Sequence, residues 1–101
     1  MDAYFAREMQ WEANDGTWYP CSVAFSLPVA VGNQFEVQFQ AYGFGDETVY
    51  TVRGFDQMQA MDLAMCVAGE LVRKHPIAPR LNLRDLPGRG FPELPDVLPP
   101  E

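Results

Sequence analysis

The residue types that most often carry chemistry are scarce in this chain. It has one histidine, one lysine and two cysteines in 101 residues. Cys21 and Cys66 lie far apart and form no Cys-x-x-Cys pair, so neither a disulfide framework nor a zinc site is indicated. No apolar stretch approaches the ~20 residues that a membrane span requires. The first residues, MDAYFAREMQWEAN, hold no basic region followed by an apolar run; this predicts no signal peptide and a cytoplasmic location. Positive charge is also thin: seven basic residues stand against fourteen acidic ones, a net charge of −7. That disfavours non-specific attraction to nucleic acid or anionic membrane and suits a basic protein partner.

What is present argues for a packed domain. Hydrophobic residues make up 48% of the chain and aromatic residues 13%, far from the composition of a disordered segment. The charge is uneven. Residues 1–72 hold ten acidic groups against Arg7 and Arg53, a net −8, whereas 73–90 are net +4 and 91–101 net −3. A basic segment follows an acidic body, and its simplest placement is back across that body.

Period-two alternation dominates the first half. Phe5, Met9 and Trp11 share one phase and Tyr4, Ala6, Glu8 and Gln10 the other, which reads as a strand over 3–12, with a short helix capped by Asp2 as the alternative. Asn14-Asp15-Gly16 is a turn. Pro20 and Pro28 bracket a second strand with Cys21, Val23, Phe25 and Leu27 on one face. After a turn at 31–34, Phe35, Val37, Phe39 and Ala41 alternate with Glu36, Gln38, Gln40 and Tyr42, the pattern of an antiparallel strand with one wet face. Gly43-Phe44-Gly45-Asp46 turns the chain again, and Glu47 to Arg53 runs back as a fourth strand.

One long helix follows. Asp56 and Gln59 have capping-box spacing, Arg73, Lys74 and His75 suit the carbonyl end of the helix dipole, and Pro76 stops it. At 100° per residue, Leu63, Ala64, Val67, Ala68 and Leu71 form one stripe. Met58, Met61, Met65 and Val72 extend the apolar arc to about 220°, wider than one sheet contact requires. That flank is expected to need a second cover. Seven of the nine prolines lie in 76–100, among Ile77, Leu81, Leu83, Leu86, Phe91, Leu94, Val97 and Leu98. The pattern predicts an extended strap that docks on the helix flank, with ordering on a partner as the alternative. The predicted fold is therefore α+β: a four-stranded antiparallel meander covered on one face by a single helix at about 56–75. The predicted domains are 1–75 for the meander and helix and 76–101 for the proline-rich extension.

The string Gly54-Phe-Asp-Gln-Met-Gln-Ala-Met-Asp-Leu-Ala64, with Tyr19-Pro20-Cys21-Ser22-Val23 before it, resembles a group of small bacterial proteins of unknown function. These combine a strand meander with a Gly-acid-Gln-Ala-Leu helix start; Met61 stands here where leucine is usual. The resemblance covers about 7–73 and implies a fold. It carries over no catalytic residue, and the strap lies outside it.

No nucleophile, base and orienting group can be assembled from these residues. His75 sits before Pro76 and reads as a helix-end partner. Cys21 falls in phase with the core, and Cys66 falls on the polar side of the helix, where a reactive thiol is a minor alternative. Gly43-Phe44-Gly45 is followed by two acids, which repel phosphate and do not suit an RNA-binding strand. No cofactor or metal is predicted. Three functions remain. The first is a non-catalytic protein-interaction module, such as an immunity-type antagonist of a basic partner, using Glu36, Gln38 and Gln40. The second is a homo-oligomer joined through Met58, Met61, Met65 and Val72. The third is a small-ligand binder with a pocket lined by Phe25, Phe39, Tyr50 and Leu63.

Overall fold

Alternating side chains and turn residues build the sheet as the sequence pattern requires. The structure, a computed structural model, describes residues 1–77 and 79 and the backbone of 81 and 82. The elements are β1 (Phe5–Glu12), β2 (Trp18–Phe25), β3 (Val29–Val31), β4 (Gln34–Tyr42), β5 (Val49–Gly54), α1 (Gln57–Lys74) and β6 (Leu81–Asn82). Residues 5–12 are strand, not helix. β1 pairs with β2, β2 and β3 with β4, and β4 with β5, all antiparallel. This is a meander with one helix over one face.

Met9, Cys21, Val23, Phe25, Val37 and Phe39 point to the helix side and are buried. The register aligns Phe5, Phe25, Phe39 and Tyr50 as one rung across four strands. Their ring centroids are 5.3, 5.8 and 5.0 Å apart in turn, within the range where aromatic contact adds to burial.

The second predicted strand departs from expectation at its end. Phe25 pairs with Phe39 and Val29 with Glu36, so three residues of one strand, 26–28, oppose two of β4. That extra residue is a β-bulge, located where Pro28 cannot donate to a ladder. Ser26 bridges it: its N–H donates to the Gln38 carbonyl at 2.8 Å and its Oγ accepts the Gln38 N–H at 2.9 Å. One added residue reverses the faces. Leu27, expected in the core phase, is exposed, and Val29 and Val31 take the face away from the helix. The fourth strand also begins later than expected, at Val49, because the Asp46 carboxylate accepts the Thr48 N–H and holds 46–48 as a turn.

α1 begins at Asp56, whose Oδ1 accepts the Gln59 N–H at 2.7 Å. Gln59 reaches back to the N–H of Phe55, one residue before the cap, at 2.6 Å. His75 closes the helix in extended backbone (ψ 144°), as a residue before proline must. The face turned to the sheet is a correction to the angular reading. Ala60, Ala64, Ala68 and Val72 form the buried row, Met61 and Met65 pack partly against the core, and Leu71 is exposed. Short side chains on the helix let its backbone sit close over the large residues of the sheet, which favours burying the alanine row over the leucines. Val72 is 3% exposed and Met58 84%, so these two do not share a surface.

Ile77 packs against the core, and Leu81 and Asn82 pair with Trp11 and Gln10 at the β1 edge. The predicted docking of the rest of the strap lies outside the described residues.

Candidate functional site

Because α1 covers one face, the even-numbered side chains of β1, β2 and β4 stand on the other. The register places Glu36 opposite Arg53, Gln38 opposite Thr51 and Gln40 opposite Val49, so the three candidate residues of β4 form one row across the open face. Two of the three are tied through their side chains. Arg53 Nε donates to Glu36 Oε1 at 2.8 Å, and Gln40 Nε2 donates to the Glu47 carbonyl at 2.6 Å. Tyr42 Oη donates to Gln40 Oε1 at 2.6 Å. Glu36 and Gln40 are thus held by their side chains at the two ends of the row, with Gln38 between them. Glu8 and Glu12 extend its acidic character along β1, where both are exposed.

Several residues that alternation alone did not single out join this face. Trp18 (46% exposed) and Val29 (58%) lie on it, with Val31 and Val49. Two of them, Val29 and Val31, are there only because of the bulge. Pro28 was the available signal: a proline between two apolar runs marks either a strand end or a bulge.

The helix residues Met58, Met61, Met65 and Val72 belong to the opposite side of the sheet and are not brought together with Glu36, Gln38 and Gln40. Among these four, Met58 is fully open, Met61 and Met65 are partly buried, and Val72 is core.

A recess of about 170 Å³ lies between sheet and helix, lined among others by Phe39, Tyr50, Phe44, Leu71, Val72 and His75. Two of the four residues expected to line a pocket, Phe39 and Tyr50, do so. Its volume is about that of an engineered cavity that admits benzene. The polar groups at its rim are already engaged. His75 Nε2 lies 2.8 Å from the Phe44 carbonyl, and its Nδ1 accepts the Ile77 N–H at 3.2 Å. These contacts assign the proton to Nε2, which donates to Phe44. Asp46, its carboxyl held below the usual range by hydrogen bonds from the Thr48 side chain and backbone, is turned to its own loop. The histidine therefore pins the Phe44 loop to the end of α1 instead of facing a substrate.

Cys66 is buried rather than partly exposed. Burial first, then the Asp62 carboxylate, raises its thiol pKa, the opposite of what a reactive thiol needs. Among the described residues no three His, Cys, Asp or Glu side chains gather as a metal site, and no helix is long and apolar enough to cross a membrane.

No family model, curated protein or solved structure matches this chain. Its function is to be read from these side chains.

Proposed function

We propose that this chain is a non-catalytic protein-interaction module whose recognition surface is the open face of the sheet. The observation that supports this is the content of that face: Glu36 and Gln40, each held by a side-chain hydrogen bond, with Gln38 between them, and exposed Trp18 and Val29 on the same side of the sheet. Aromatic anchors beside rotamer-locked polar groups are what protein interfaces select, since they lose little freedom on binding. The acidic residues Glu8 and Glu12 and the net −8 of residues 1–72 make a basic partner the best match, as for an immunity-type antagonist. The resemblance of Gly54–Ala64 to small bacterial proteins is part of the same proposal; it supports the capped helix and assigns no role.

The test is site-specific photo-crosslinking in the native host, with the probe at Gln38 and, as control, at exposed Asp62 on α1, on the other side of the sheet. The expected result is one dominant adduct at 38 and none at 62, lost when Glu8 and Glu12 are both changed to lysine. Equal labelling at the two positions, or an adduct indifferent to the charge reversal, would remove the open face from consideration.

A further inference from the structure

β5 closes one side of the sheet, and its outer edge pairs with no strand among the described residues. Which backbone groups point outward follows from the bulge contacts. The N–H and carbonyl of Gln38 both meet Ser26, so Gln38 directs its backbone toward the β2–β3 side. In an antiparallel strand the direction alternates from one residue to the next. Phe35, Val37 and Phe39 therefore face β5, where they pair with Gly54, Val52 and Tyr50. The remaining residues, Val49, Thr51 and Arg53, direct three N–H groups and three carbonyls away from the sheet.

Edges of this kind are normally guarded by proline, lysine, a bulge or an inward charge. β5, Val49-Tyr-Thr-Val-Arg-Gly54, has no proline or lysine, and its register with β4 is unbroken. Its one charge, Arg53, is paired with Glu36 inside the same sheet.

We propose that this edge takes the β5 strand of a second copy of the chain, antiparallel about a two-fold axis through Thr51. The outward residues 49, 51 and 53 are symmetric about 51. In that register every outward N–H and carbonyl of one copy meets its complement in the other, which is the self-complementarity a two-fold interface requires. Thr51 then faces Thr51 and Tyr50 faces Val52, pairs of types that stabilise adjacent strands, and Val49 faces Arg53. The two sheets become one, with both helices on the same side. This inference concerns the strand edge and stands apart from the open-face reading.

Sedimentation velocity from about 5 to about 500 μM, where an interface of a few strand hydrogen bonds assembles, is expected to show monomer passing to dimer. Thr51→Pro removes an outward N–H without touching the β4 ladder, and Thr51→Lys restores an edge guard; both are expected to stay monomeric with an unchanged circular dichroism spectrum. Amide exchange supplies a readout that does not depend on the variants folding. The Val49, Thr51 and Arg53 amides of the unmodified chain should slow by about tenfold or more at the high concentration, while Tyr50 and Val52 are protected throughout. A monomer at every concentration would overturn the proposal. So would a dimer that persists in both variants, or edge amides whose exchange is the same at both concentrations, whether fast or slow.

Discussion

Two glycines stand where the backbone of another element leaves no room for a side chain. A Cβ on Gly54 would lie 2.5 Å from the Ala60 nitrogen, and one on Gly43, at φ +83°, would lie 2.6 Å from the Pro20 carbonyl. The first sets how closely α1 sits on β5, and the second lets the Phe44 loop fold against β2. The cysteines report burial in another way. The Cys21 thiol is pushed up to about 11 from 9.0 by burial. Below pH 9 the thiol is neutral in both folded and unfolded chains and its contribution is complete. Above that the unfolded chain ionises first, so the contribution is lost as the pH rises from 9 through 11. Urea unfolding of the parent chain is expected to weaken over this window more steeply than that of Cys21→Ala; parallel slopes would contradict the burial. Cys66, out of phase with the sheet-facing row, gave no sequence sign of being buried, because helical angle alone does not register what else covers a helix.

At the scale of elements, α1 is defined at its ends by local chemistry. Asp56 and Gln59 were legible as a cap from spacing, and Pro76 as a stop. Asp56→Ala is expected to cost about 1 kcal/mol, and Asp56→Asn close to nothing, since an amide oxygen can accept the same N–H. Chemical denaturation of the two variants measures this, and equal losses would mean that charge, not the hydrogen bond, is what Asp56 supplies. The rotation of the helix was not legible. Spacing shows that Ala60, Ala64, Ala68 and Val72 are neighbours, but choosing that row over the one through Leu63, Val67 and Leu71 depends on the shape of the sheet beneath. The bulge at 26–28 is similar. Ser22 to Phe25 alternate in the sequence, whereas in the structure Ala24 is buried along with Val23 and Phe25, and the reversal at Val29 required knowing that Gln38 bonds to Ser26.

For the whole molecule, the dominant long-range term is like-charge repulsion. Ten acidic groups in residues 1–72 face two arginines, and the described ion pairs are few: Arg53–Glu36, and Glu70 with Arg73 and Lys74. These pairs are partly exposed and contribute little. Raising ionic strength from 0.01 to 0.15 M shortens the screening length from about 30 to about 8 Å, which weakens repulsion across the body more than contact pairs at 3 Å. The urea midpoint at pH 7 is therefore expected to rise with sodium chloride over that range; a fall would show that attractive pairs dominate. The same excess of negative charge is the part of the proposed interaction reading that composition alone supplied.

The sequence by itself determined the elements: four alternating strands, their turns, one capped helix and an acidic surface, because each depends on residues within a few positions of one another. Only the tertiary structure decided which residues share a face. Helix rotation, the bulge register and the outward direction of the Val49, Thr51 and Arg53 backbone all arise from contacts between distant segments, and no local spacing encodes them.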